Sequence, residues 1–327
     1  MAEARAGAVN SIEFAEKFTG ELDKFLNQVQ VTKRHVDSAF GAKFIGAKVV
    51  QIPSLDMIGL GDYDRDTGYA KGRVNVANTA YTLTHERSTE IEIDREDIDE
   101  SGVASLAAEI AKQFEEEHVA PELDICVLSK LAQVAESKTH TITYNANDVL
   151  GVFDDMFIGF KKQSKGANLK TVCYVDYDSY GALIKAARAK GMLDIAHFES
   201  GGIQYELKTI NKALIIPVDD SRMFTAYTEL TGTGSDGKAQ GGFSIPSSAK
   251  HIKMLMTSED GISLIKKLAK IKIWSPDENQ DKDAWKFQYR IYFDALIKKS
   301  RENVTFVSTV AQASSSSQTQ DGGTGSN

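Results

Sequence analysis

The chain has 327 residues and a formal charge of −8, with 38 Lys and Arg against 46 Asp and Glu. Hydrophobic residues make up 42% and charged residues 26%, the proportions of a folded protein, and at about 150 residues per domain the length allows two modules or one elongated fold. The acidic balance argues against a protein that coats nucleic acid through a basic face. The two cysteines, Cys126 and Cys173, exclude a disulfide framework and fit a reducing compartment.

Residues 1–10 lack the apolar segment of a secretory signal, and no later run approaches the roughly 18 apolar residues of a membrane span. Residues 11–30 predict an amphipathic helix, with Phe14, Phe18, Leu22, Phe25 and Val29 at steps of three and four. Such a helix must dock its stripe on its own domain or on a neighbouring chain. Residues 43–98 predict an extended, hairpin-rich arm: Val74/Val76, Tyr81/Leu83 and Ile91/Ile93 alternate around a Gly-, Tyr- and Asp-rich stretch at 59–72. Residues 95–136 predict one long helix. Acidic residues crowd its start, and two apolar stripes follow (Val103, Leu106, Ala107, Ile110, Phe114, then Leu123, Val127, Leu128, Leu131, Val134). Pro121 lies between the stripes and should kink or interrupt it; some forty helical residues would span about 60 Å.

Farther on, 145–163 predicts a helix capped by Asn145 or Asn147, 169–176 a buried strand, and 178–192 a helix ending at Gly191. The stretches 202–210 and 212–219 predict paired strands, 250–257 a strand, and 258–270 a helix starting at Ser258. In 285–293, Trp285, Phe287, Tyr289, Ile291 and Phe293 alternate as one face of a strand. Residues 311–327 are low-complexity Ser, Gly and Gln, a composition that predicts disorder.

Motifs for chemistry are weak. The Gly-x-Gly-x-x-Gly spacing at 232–237 is followed by more loop, so no helix N-terminus is placed to meet a phosphate. Asp62, Asp64 and Asp66 alternate as in a calcium loop, but Thr67 and Arg73 stand where its glycine and final carboxylate belong. Glu115 and His118 form a single Glu-x-x-His step, which reads as a solvated helix face. The six histidines show no paired metal spacing. Cys126 and Cys173 read as buried apolar residues; pairing either with a distant histidine is beyond sequence reasoning. Lys161, Lys162 and Lys165, and Lys298, Lys299 and Arg301, are short basic clusters at helix ends. Trp274 and Trp285 read as core anchors. No catalytic, cofactor or metal site is expected.

The order of the segments resembles the major capsid proteins of tailed double-stranded-DNA bacteriophages over about residues 40–310. The stretches that carry the likeness are 52–69, 82–101, 214–225 and 273–297. The resemblance implies an α+β chain with the Hong Kong 97-like capsid fold. An N-terminal arm would occupy 1–45, an E-loop hairpin 46–90, and a peripheral domain with a long spine helix 91–171. An axial domain would follow at 172–272, with a return to the peripheral domain at 273–310 and a tail at 311–327. The implied function is a structural, non-enzymatic shell subunit that assembles into hexamers and pentamers in a bacterial cytoplasm and encloses double-stranded DNA in the virion. Encapsulin nanocompartments, which enclose enzyme cargo, use the same fold and are the alternative. Implied partners are further copies of the chain, a separate scaffolding protein, a portal and decoration proteins, with no membrane. Phe14, Phe18, Leu22 and Phe25 in the arm are the candidate contacts between subunits, with Asp62, Asp64, Arg65, Asp66 and Arg87 around the E-loop. A charge of −8 suits a wall that contains DNA without binding it tightly.

Overall fold

The computed structural model describes residues 30–35, 43–46, 48–57, 63, 65–66, 74–94, 109, 112–165, 167–200, 203–232, 241–268 and 272–311. The expected helix at 11–29, most of the first apolar stripe of the long helix, the glycine-rich loop at 233–240 and the tail from 312 onward lie outside these residues.

Sixteen strands and three α-helices are described. The strands are β1 (Lys43–Phe44), β2 (Val49–Met57), β3 (Val74–Thr82), β4 (His85–Asp94), β5 (Thr141–Thr143), β6 (Thr171–Asp176), β7 (Leu193–Ser200) and β8 (Ile203–Ile210). They continue with β9 (Ala213–Val218), β10 (Thr228–Glu229), β11 (Phe243–Ser244), β12 (Lys250–Ser258), β13 (Ile262–Leu268), β14 (Lys272–Trp274), β15 (Ala284–Ile297) and β16 (Phe306–Ala311). The helices are α1 (Ala120–Ser137), α2 (Val149–Gln163) and α3 (Tyr177–Ala189).

The centre is a mixed seven-stranded sheet in the order β5-β16-β12-β6-β9-β8-β7. All six residues of β6 are buried because helices cover both faces of the sheet. Val172 and Tyr174 point to α1, while Cys173 and Val175 point to α2 and α3. A β-bulge between Ile252 and Met254 changes the parity of β12. Ile252 therefore faces α1, whereas Met254 faces α2, a reversal that strict alternation forbids.

A second sheet is built on β15. It pairs with β4 along one edge and with β13 and β14 along the other. Helix α1 is the shared core element, packed between β12 and β16 of the first sheet and β13 and β15 of the second. That position explains why Leu123, Ile125, Val127, Leu128, Leu131 and Ala132 are all fully buried, with apolar residues around most of the helix.

Pro121 does not break this helix. Residues 115–119 form a π-helical turn in which the Ala120 N–H reaches back five residues to the Glu115 carbonyl. The wide turn accommodates the ring and missing donor of Pro121, and the axis continues into α1.

Several expectations need correction. Residues 258–268, the described part of the helix expected at 258–270, do not form a helix: Ser258 ends β12, Gly261 closes a turn onto the Ser258 carbonyl, and β13 pairs with Ile291–Ile297. Leu264 faces the α1 core while Ile265 faces the opposite cluster with Val50 and Tyr292. A strand buried on both faces presents an apolar run that periodicity cannot tell from a helix. The cap of α2 is Asp148, whose side chain accepts from the Gly151 N–H, and Asn145 instead holds a turn to the Asn147 N–H. Trp274 is no core anchor but sits 38% exposed on the short β14, with Lys272 over its ring. Glu115 is buried, contrary to a solvated face, while His118 is exposed, its ring tilted against that of Phe114 at 5.5 Å.

Candidate assembly site

Strands β2 and β3 form an antiparallel ribbon of nine residue pairs, from Val49↔Thr82 at its root to Met57↔Val74. At about 3.4 Å per residue this extends close to 30 Å. Its root carries a small core of Val50, Leu83, Ile265 and Tyr292, while Asn78, Thr79 and Ala80 on the ribbon are exposed. The Leu83 N–H bonds to the Lys48 carbonyl at 2.8 Å. Glu86 accepts from both Lys48 and Arg290, and these hydrogen bonds hold its carboxyl down at about 2. Lys267 donates to the Gly46 carbonyl at 3.1 Å and lies over the Phe44 ring. The chain then turns into β4, which leaves the ribbon and joins β15, so the strand signal at 80–94 belongs to two structures.

A second fastening holds residues 30–35. Asp124, fully buried on α1, accepts from the Val31 N–H (3.2 Å), the Thr32 N–H (3.0 Å), the Thr32 hydroxyl (2.7 Å) and Arg222 Nη1 (2.9 Å). Burial raises its pKa against the opposing pull of Arg222 and Thr32. Next to it His35 is enclosed, with Nδ1 at 3.0 Å from the Glu259 carbonyl and Nε2 at 2.8 Å from the Tyr174 hydroxyl. A carbonyl only accepts, so Nδ1 carries the proton and Nε2 accepts from Tyr174. Burial lowers the His35 pKa to about 4. Sequence reasoning missed this network; the available signal was a lone aspartate inside the apolar stretch Leu123–Leu131.

Arg87 organises a third region. It donates to the carbonyls of Leu230 (2.9 Å) and Gly242 (2.8 Å), the two ends of the glycine-rich loop, and pairs with Glu122 of α1 at 2.5 Å. Two residues earlier on the same face of β4, His85 Nδ1 pairs with Glu229 of β10, and its ring stacks on Phe293 at 5.0 Å. A groove of about 290 Å³ runs past Arg87, Phe114, Glu122, Leu230 and Tyr289.

Of the expected contact residues, Phe14, Phe18, Leu22, Phe25, Asp62 and Asp64 lie outside the described residues. Arg65 and Asp66 stand exposed in a turn, and Arg87 is engaged within its own chain. Elsewhere Asp176, Asp220 and His251 bring three ligand-type atoms together, but Lys253 donates to Asp176 at 2.5 Å and places an ammonium there. Lys161, Lys162, Lys165, Lys298 and Lys299 are exposed, whereas Arg301 is bound through two nitrogens to Asp260 at 3.0 Å.

No family model and no curated protein sequence matches the chain. Among solved structures it is similar to the capsid of Staphylococcus phage Andhra, with a TM-score of 0.51 and 12% identity over 83% of this chain and 82% of that one. It is also similar to the mature capsid of bacteriophage PhiM1 (TM-score 0.49, 13% identity, 80% and 82% covered). The capsid of an empty GTA particle gives a TM-score of 0.49 at 13% identity, with 88% and 90% covered. The fold is therefore the α+β tailed-phage capsid fold expected from the order of segments, shared with the Andhra capsid at an identity too low to carry more than architecture.

Proposed function

We propose that this chain is the structural subunit of an icosahedral phage capsid, assembling into hexamers and pentamers that enclose double-stranded DNA. The β2–β3 ribbon carries this reading. A two-stranded ribbon is marginal in water by itself; this one is joined by β1 at its root, is seated there on four buried side chains, and exposes Asn78, Thr79 and Ala80 farther out. Such an arm suits the surface of a neighbouring copy, and the shared capsid fold supplies that neighbour.

On this reading the N-terminal arm (1–45), E-loop (46–90), axial domain (172–272) and peripheral segments (91–171 and 273–310) have the roles named for them above. Exposed Arg65 and Asp66, together with Asp62, Asp64 and the apolar stripe Phe14, Phe18, Leu22 and Phe25, are the proposed contacts between subunits. A scaffolding protein, a portal and decoration proteins are the proposed partners. Many modest contacts, each subunit touching several others, would hold the shell together.

Negative-stain microscopy of the expressed chain tests the proposal. Uniform shells, or hexameric and pentameric rings, are expected; a monomer or dimer under all conditions overturns it. Nuclease-protected DNA is the expected content of native particles. An enzyme in its place would move the chain to the nanocompartment class.

A further inference from the structure

The β2–β3 ribbon has two outer edges, and they are unlike. In an antiparallel ladder, residues alternate between bonding the partner strand and turning their backbone N–H and C=O groups outward. The bond from the Leu83 N–H to the Lys48 carbonyl sets the phase. In the register from Val49↔Thr82 to Met57↔Val74, Val50, Ile52, Ser54 and Asp56 then bond to Asn75, Ala77, Thr79 and Tyr81 of β3. Val49, Gln51 and Pro53 present their backbone groups to the other side. There the Val49 carbonyl accepts from the Ile45 N–H, and Gln51 pairs with Lys43 of β1. Pro53 follows on the same parity and has no N–H to offer a further strand, which is why proline is tolerated at sheet edges. The outer edge of β2 is closed first by β1 and then by proline.

The outer edge of β3 has neither protection. Val74, Val76, Asn78, Ala80 and Thr82 turn their backbone groups outward, and among the described residues no strand pairs with them. Asn78, Ala80 and Thr82 are exposed. Open edges of this length are ordinarily blunted by charge, proline or a bulge. Residues 74–84 contain no proline and no acidic or basic side chain, and the nine pairs with β2 run consecutively, without a bulge.

We infer that the β3 edge is an interaction surface that receives an extended segment of a second copy of this chain. The bonds are backbone strand pairs at Val74, Val76, Asn78, Ala80 and Thr82. The inference rests on the capsid reading above and adds to it the edge, the residues and the type of bond. Charge selects the occupant's place of approach. Copies that each carry a net charge of −8 repel over much of their surfaces. Residues 74–84 set no charge of their own against an incoming copy. Strand pairing asks for an extended partner rather than for one fixed set of side chains.

Hydrogen exchange of the full-length chain, read amide by amide by mass spectrometry, compares the assembled shells or rings with the unassembled subunit. The outward amides of Asn78, Ala80 and Thr82 are expected to exchange at least about tenfold more slowly in the assembly. They should then match Thr79 and Tyr81, which already bond to β2. Ala80→Pro removes one outward N–H and leaves the bonds to β2 in place. Its assembly yield, scored by sedimentation, should fall at least about tenfold with subunit melting little changed. Ala80→Ser keeps the N–H and should assemble like the unsubstituted chain. Outward amides that exchange as fast in the assembly as in the subunit overturn the inference and leave the capsid reading standing. So does a folded Ala80→Pro variant that assembles normally, and so does protection that appears only when a different protein is added. A chain that forms neither shells nor rings overturns both. The exchange measurement needs no variant, so it decides the question even where Ala80→Pro fails to fold.

Discussion

Residues 30–35 and the β2–β3 ribbon are fastened to the same body in opposite ways. The first is bolted through buried polar groups, with four donors converging on Asp124 and a histidine enclosed between a tyrosine and a carbonyl. The second rests on a small apolar cluster rimmed by solvent-facing ion pairs such as Lys48–Glu86–Arg290. Buried charged networks are intolerant of small displacements, because each unmatched group carries its full desolvation cost. Apolar contacts with exposed charges tolerate sliding and tilting. The difference gives one segment a fixed seat and the other a root with more freedom to change angle, in keeping with the proposal that the arm reaches neighbouring copies.

The largest effect is expected at the fixed seat. Asp124→Ala leaves Arg222 and two backbone N–H groups without their acceptor and should cost about 3–5 kcal/mol, measured by urea denaturation of the unassembled subunit. A cost under about 1 kcal/mol would erase the contrast between the two fastenings.

Acid is the next lever, again at the seat. His35 falls from 6.5 to about 4 in the fold, so between those values the unfolded chain binds a proton that the native chain refuses. Stability is complete above about pH 6.5 and declines towards pH 4, by roughly 3 kcal/mol for a shift of this size. His85 has the opposite sign. Raised to about 10, it contributes fully below its unfolded value and loses that contribution as pH climbs from 6.5 towards 10. Thermal melts of the native subunit, set against His35→Gln and His85→Gln, should show the acid-side slope flattened in the first and the alkaline-side slope in the second.

At the ribbon root, Leu83→Ala should cost about 2 kcal/mol of subunit stability, at the low end for a buried leucine because the cluster is small. Its effect on shell yield, scored by sedimentation, should exceed its effect on the subunit, since the root aims the arm. Smallest of all is Glu86→Gln: the carboxylate is solvent-exposed, so subunit melting should scarcely change. A large loss there would mean that the root is as rigid as the seat.

Much of this arrangement was legible in the sequence. The alternation in β15, the buried run of β6, the strand signals at 49–57 and 74–82 and the described part of the long helix, 112–137, all follow from local pattern and burial. The order of these segments pointed to the fold. The candidate site was less legible, because its members lie far apart in the chain. Asp124 meets Thr32 and Arg222, and Arg87 meets Glu122 and Leu230, with nothing local to signal either meeting.

What local chemistry determined, then, was which segments extend or coil and which of their faces must be hidden. Tertiary structure decided the cases in which local signals were degenerate. Ile262–Leu268 became a strand because two separate cores claimed its two faces. Pro121 stayed inside a continuous helix because a π turn absorbed its missing donor. The parity of β12 changed at a bulge demanded by its neighbours. In each case the deciding energy came from contacts between residues distant in sequence, and no window along the chain contains both partners.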